Sequence, residues 1–318
     1  MAASPPVTFD VSLSSPYDRW GGIEPLAEAA VLAEGLGFHG VQFGEHLGVS
    51  LEADAAPTGA IWYDNFVIGA HLATLTKQLR LIFSALVVPF RHPLLAAKLI
   101  ATLDVVSRGR VIVNMAVGWN KREFEVLGIP FNRRGVITDE YIRAMKSLWS
   151  DERPEFHGKF VDIGDIDFSP KCVQEPHVPV WIAGDSPQAL RRAAELGDGW
   201  CPNRGTPAEF AERIPWIKER ALAAGRDPTR MAFGFSIGIG ELPEGGAAAS
   251  GGRYFPPEPA DTPDKVIALI ERYNAVGVHH LSLRFVWDTP LDFMRRMEWF
   301  AKEVMPAFNI DGRAKRSR

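Results

Sequence analysis

Four stretches of the chain put residues capable of chemistry at the ends of apolar runs, where a strand gives way to a loop. Glu45 and His46 close a run that begins at Gly40. An imidazole changes charge near neutral pH and can exchange a proton with a carbonyl or an alcohol, although an ordinary loop histidine would look the same. Ser84, Ala85 and Leu86 end a run from Leu79; small side chains there let backbone approach a planar ligand, or simply pack. Asn114, Ala116 and Gly118 alternate along one face, opposite Val113, Met115 and Val117. Polar, small and absent side chains in succession leave room for something other than protein, or form a packing layer. Trp119 follows at the rim. The fourth stretch, Ala183-Gly184-Asp185-Ser186-Pro187, leads from a strand into a helix. Free N–H groups and the positive dipole end at such a start suit a phosphate, while Asp185 or Ser186 followed by Pro187 suits a helix cap.

Other familiar arrangements are missing. No His/Cys/Asp group has metal-ligand spacing in the sequence, so no metal is expected. His39, His71, His157, His177, His279 and His280 read as structural or exposed. There is no phosphate-binding P-loop and no Gly-x-Ser-x-Gly nucleophile elbow.

The elements that must carry these residues alternate from end to end between strand-like and helix-like patterns. Strands are predicted over Val7 to Leu13, Gly40 to Glu45, Leu79 to Val87, Arg110 to Val117 and Val180 to Ala183, then around Trp200, over Met231 to Ile239 and over Val278 to Leu283. Helices are predicted over Leu26 to Glu34, Trp62 to Thr76, from Pro93, over Gly135 to Trp149, Ser186 to Leu196 and Pro207 to Ala224, and within Pro263 to Ala307. The helix from Pro93 is expected to bury Leu95, Leu99, Leu103 and Val106. Phe156 to Val161 reads as one arm of a small excursion. Eight parallel strands, most followed by a helix, close a (β/α)8 TIM barrel, so residues 1–318 are expected to form one domain with insertions at its C-terminal face. Residues 242–259 read as a mobile loop or an inert insertion, and residues 313–318 as a disordered tail.

Composition narrows the function classes. A hydrophobic fraction of 46%, a charged fraction of 23% and a net charge of −4 describe an ordinary globular protein without the basic surface that nucleic acid or an anionic membrane would require. Two cysteines, Cys172 and Cys201, are too few for a disulfide scaffold or a metal framework. The N-terminus lacks a secretory pattern and the longest apolar run is too short to span a bilayer, so a cytoplasmic location is expected.

A set of motifs in fixed order carries a resemblance: Arg91-His92-Pro93, Ser107-Arg108-Gly109-Arg110, Val117-Gly118-Trp119-Asn120 with Glu123-Phe124 and Leu127-Gly128, Phe156-His157-Gly158-Lys159-Phe160, Pro179 to Gly184, and Leu196 to Trp200. Together they resemble the luciferase-like monooxygenase superfamily, most closely its F(420)-dependent oxidoreductase branch. The resemblance implies that His46 stands beside the reactive edge of a flavin or deazaflavin ring as the catalytic residue. It also implies a non-proline cis peptide at Ser84-Ala85 against the ring face, and a cofactor phosphate near Ala183, Gly184, Asp185 and Ser186. Ser84, Ala85, Leu86, Asn114, Ala116 and Gly118 complete the expected cofactor surface. Trp62 and Trp119, with Ile61 and Tyr63, would wall a pocket for a small organic substrate. The expected cofactor is deazaflavin coenzyme F(420), with FMN in a reduced-flavin monooxygenase as the alternative, and the expected assembly is a homodimer. Three departures bear on this reading. Val117 stands where bacterial luciferase α-chains carry a phosphate-binding arginine. Trp119 replaces the catalytic glutamate of the sugar-phosphate dehydrogenases, and Asn114 and Ala116 replace frequent glycines.

Overall fold

A computed structural model describes residues 6–13, 17–48, 61–240 and 260–308. The loop expected at 242–259 and the tail expected at 313–318 lie outside the described residues, as does 49–60. In chain order the elements are β1 (Thr8–Ser12), α1 (Ile23–Leu36), β2 (Gly40–Phe43), α2 (Asn65–Leu75), β3 (Arg80–Val87), α3 (Pro93–Ser107), β4 (Val111–Ala116), α4 (Lys121–Val126) and α5 (Arg134–Ser150). They continue with β5 (Phe156–His157), β6 (Asp162–Ile163), β7 (Val180–Ile182), α6 (Pro187–Leu196), β8 (Gly199–Trp200), α7 (Pro207–Ala223), β9 (Ala232–Ile239), α8 (Pro263–Asn274), β10 (His280–Phe285) and α9 (Pro290–Glu303).

Eight of the strands close a barrel in the order β1-β10-β9-β8-β7-β4-β3-β2, every pair parallel. This is the (β/α)8 barrel that the alternating pattern predicts. β5 and β6 pair antiparallel outside it, which accounts for the excursion around Phe156. Helix starts are set by local chemistry. Ser186, Thr206, Thr262 and Thr289 each accept a backbone N–H with the side chain, and a proline follows in the first turn.

Strand alternation sorts side chains into two environments. Phe9 of β1 points out and meets Phe300 of α9, and Phe83 of β3 meets Phe66 of α2. These belong to the large layer between barrel and helices. The opposite phase faces the barrel axis. There a small apolar group of Ile82, Ile112, Trp181 and Cys201 is accompanied by buried Asp10, Gln42, Asn114, Ser236 and Ser282. Each of those five polar side chains has a buried atom without a hydrogen-bond partner among the described residues.

Helix α3 departs from expectation. Leu95 and Val106 are 53% and 49% exposed, and the buried stripe is Ala96, Ala97, Ile100, Ala101 and Leu103. The helix is apolar around most of its circumference, so periodicity selects no unique face, and the alanine side allows the closest approach to the barrel. Elements without a counterpart in the sequence reading include α4 and the 3-10 turn at Tyr17–Trp20, both of which reach the site. Cys172 and Cys201 are free. Among the described residues no helix is long and apolar enough to cross a membrane.

Candidate functional site at the C-terminal mouth

The ends of β2, β3, β4 and β7 bring the four singled-out stretches to one mouth of the barrel, the end where loops after parallel strands build sites. In β3 the Ser84-Ala85 peptide is cis, as the resemblance implies. Register with β4 slips there, from Ser84 opposite Asn114 to Leu86 opposite Met115, so Ala85 stands outside the ladder. Asn114 donates through Nδ2 to the Cys201 carbonyl at 3.1 Å and to Ser84 Oγ at 3.4 Å. Its Oδ1 is a buried acceptor without a partner among the described residues. A planar heterocycle that brings its own N–H donors fits such a surface.

Gly118 corrects an expectation. Its φ of +80° is a left-handed conformation, and a Cβ there would lie 2.7 Å from the Phe124 ring and 2.8 Å from Val87 Cγ1. The space its missing side chain frees is filled by protein. Glycine is required here by packing, while Asn114 and half-buried Ala116 keep their place facing inward.

His46 is held more firmly than a loop histidine. Its Nδ1 lies 3.1 Å from Glu123 Oε2, and Glu123 Oε1 accepts the Leu47 N–H at 2.6 Å and the Gly48 N–H at 3.3 Å. Trp62 and Trp119 meet the imidazole in edge-to-face contacts, with centroids 4.6 and 5.4 Å away. The expected catalytic residue and the two expected pocket residues therefore form one cluster. Glu123 was legible only as part of a motif. It sits in α4, six residues with little apolar pattern, whose start Asn120 caps by accepting the Arg122 N–H.

Glu45, next to His46, is buried. Its Oε2 accepts the Val87 N–H at 2.9 Å and its Oε1 accepts from Arg91, which also donates to Asp64 at 2.8 Å. Burial raises the Glu45 carboxyl above its ordinary range, and the Arg91 charge works against that rise. Tyr17 is a second residue that sequence reasoning missed. It is buried edge-on against Trp62 and Tyr63. Burial pushes its phenol far above the ordinary range.

At the fourth stretch Ser186 Oγ accepts the Ala189 N–H at 3.2 Å, so the capping alternative is realised. Gly184 is left-handed, with φ of +99°, and its carbonyl accepts from Trp200 Nε1 at 2.8 Å. Asp185 and Ser186 are exposed at the start of α6.

Comparison with known proteins adds a lineage to this geometry. The profile of the family described as luciferase-like monooxygenase matches residues 7–239. An uncharacterized protein of Mycobacterium tuberculosis is 36% identical over 222 residues, 65% of this chain and 76% of that protein. The FMNH(2)-dependent dimethylsulfone monooxygenase of Pseudomonas putida is 32% identical over 166 residues, 51% of this chain and 46% of the relative. Among solved structures, the coenzyme F420 dependent tetrahydromethanopterin reductase of Methanopyrus kandleri superposes with a TM-score of 0.74 at 20% identity, over 96% of this chain and all of that one. This last likeness is one of fold.

Proposed function

The chain belongs to the luciferase-like monooxygenase family, and on that premise we propose that it is an oxidoreductase transferring a hydride between deazaflavin coenzyme F(420) and a small organic substrate at the C-terminal mouth. The observation that carries the reading is the His46–Glu123 pair set between Trp62 and Trp119. Bound at this mouth, the deazaflavin supplies or accepts the hydride; the protein contributes orientation and proton handling.

The Ser84-Ala85 bulge and the inward faces of Asn114 and Ala116 would support the ring, with Leu86 behind them. The loop Ala183, Gly184, Asp185 and Ser186 would meet the phosphate through backbone N–H groups, with the Asp185 carboxylate limiting how closely an anion sits. Glu123 fixes the His46 ring through Nδ1, which leaves Nε2 to give a proton to the substrate oxygen or take one from it. Trp62 and Trp119 wall the substrate and exclude water from the proton transfer. The family resemblance supports a homodimer as part of the same reading.

A second reading, a monooxygenase using reduced FMN, is favoured by the Pseudomonas putida relative. Titrating the purified protein with oxidised F(420) and, separately, with FMN decides between them. Saturable binding of F(420) with weak or no FMN binding is expected; the reverse moves the chain to the monooxygenase reading. Replacing His46 by Ala is expected to lower turnover about 10²–10⁴-fold while the cofactor Kd stays within a few-fold. Unchanged turnover removes His46 from the chemistry.

A further inference from the structure

The opposite mouth of the barrel carries a second cluster. Asp10 of β1, His39 just before β2 and His280 at the start of β10 each offer a ligand atom, all within 4.8 Å of one another. We propose that Asp10, His39 and His280 bind a divalent transition-metal ion, with zinc as the representative, which ties the first, second and last strands together where the barrel closes. The inference stands apart from the cofactor reading, because it concerns the other end of the molecule.

Donor chemistry and burial support it. Two imidazoles and a carboxylate are a set that zinc and its neighbours in the first transition row accept, leaving a fourth position for water. The Asp10 side chain is fully buried, yet its only described hydrogen bond is Oδ1 to His39 Nδ1 at 2.8 Å, and Oδ2 has no partner among the described residues. His39 meets one oxygen, and the Arg80 charge acts on the carboxylate from a distance. Oδ2 nonetheless stays buried without a hydrogen-bond partner among the described residues, a position a metal ion would fill. At Gly40 a Cβ would meet the Arg80 carbonyl at 2.9 Å and Asp10 Oδ1 at 3.0 Å, so glycine there lets β2 and β3 approach closely beside the carboxylate. Thr8 Oγ1 lies 2.5 Å from His280 Nδ1, fixing that ring as outer hydrogen bonds fix metal-bound imidazoles and leaving Nε2 to coordinate.

Geometry and access also fit. Tetrahedral ligand atoms about 2.0–2.1 Å from zinc lie about 3.3 Å apart, so the cluster must draw in by ring rotation. His39 is 26% exposed, which provides an entry path from solvent. Arg80 shares this mouth, but its Nη1 is engaged by the Gly109 carbonyl and Gln174 Oε1. The expectation of no metal site rested on spacing along the sequence, and these ligands come from three segments far apart in it.

The test uses the full chain, stripped with EDTA, dialysed and titrated with Zn²⁺ and Co²⁺. One ion per chain is expected, with visible d–d absorption from cobalt and a thermal midpoint that rises with zinc. His39→Ala, at a half-buried ligand, and independently Asp10→Asn should each weaken binding by more than the about 10–100-fold that losing an outer-shell partner costs. His157→Ala, which breaks the exposed His157–Asp162 pair, should leave binding unchanged. Failure of the parent protein to bind either ion overturns the proposal. So does binding that survives both ligand substitutions or disappears with His157→Ala.

Discussion

A carboxylate that meets an imidazole with one oxygen and two backbone N–H groups with the other holds that imidazole in place. Glu123 does this for His46 across 77 residues of sequence, and its own helix is capped by Asn120 next to Trp119. Glu123 acts through His46 and is a positioning residue. Glu123→Gln keeps the size but replaces one acceptor oxygen by a donor, so either His46 or the Leu47 N–H loses its partner. Turnover should fall roughly 10²-fold, the cost of displacing a reacting group by about 1 Å, with cofactor Kd unchanged. If kcat falls and the cofactor Kd rises together, Glu123 shapes the whole pocket and the positioning role is wrong. Gly118 makes a different demand. Gly118→Ala forces a Cβ into the Phe124 ring and Val87 at a φ of +80°, and should cost about 1–3 kcal/mol in urea unfolding. A neutral substitution would mean that Phe124 can move aside.

Elements are tied to one another by charge as well as by packing. Arg91, just before α3, reaches Glu45 after β2 and Asp64 at the start of α2, so one guanidinium joins three segments that frame the mouth. Arg91→Met leaves the Glu45 carboxylate buried without its counter-charge and should cost about 3–5 kcal/mol, whereas Arg91→Met with Glu45→Gln should recover most of that. The pH dependence has a definite sign. The folded-state pKa of Glu45 is already raised by burial, and losing Arg91 raises it further, so its unfavourable ionisation is relieved as pH falls. The deficit of Arg91→Met should therefore shrink on acidification; a constant deficit would place the loss in the contacts of Arg91 with Phe66 or Asp64. Such ties also mark what the sequence could not disclose. The order of strands and helices was legible because strand runs alternate and helices begin at Ser or Thr followed by proline. The buried face of α3 was not, because leucines and valines occur all round it, and α4 was not, because KREFEV offers one aromatic among charges. His46 and the Ser84-Ala85 peptide could be located from strand ends and resemblance, whereas Glu123 and Tyr17 gain meaning only when folding brings them to Trp62 and His46.

Across the whole molecule the two mouths hold histidine differently. His46 stands at the C-terminal mouth, while His177, His279 and His280 lie at the N-terminal ends of β7 and β10. Burial pulls all three of these below their ordinary pKa of 6.5, most strongly at His280, with Lys146 adding to the effect on His177 and His39 to that on His280. A histidine held neutral in the folded state while the unfolded chain takes up protons makes no difference above its unfolded pKa and subtracts stability below it. Stability should therefore decline as pH falls below about 6.5, with a slope of up to about 1.4 kcal/mol per pH unit for each group, or about 4 for the three together. Carboxylates held low by hydrogen bonds, such as Glu34 and Glu209, lose their contribution only at more acid pH. Fully exposed His157, raised by Asp162, has the opposite sign, but solvent screens it. In the EDTA-stripped protein, urea unfolding between about pH 7 and about pH 5.5 follows the buried histidines, against which the raised Glu45 carboxyl acts in the opposite sense. His279→Gln should remove about one third of the histidine contribution. A slope unchanged by that substitution, or no slope at all, would mean that the N-terminal mouth takes up protons without unfolding. In that case the barrel's closing face would be far more hydrated than its packing implies.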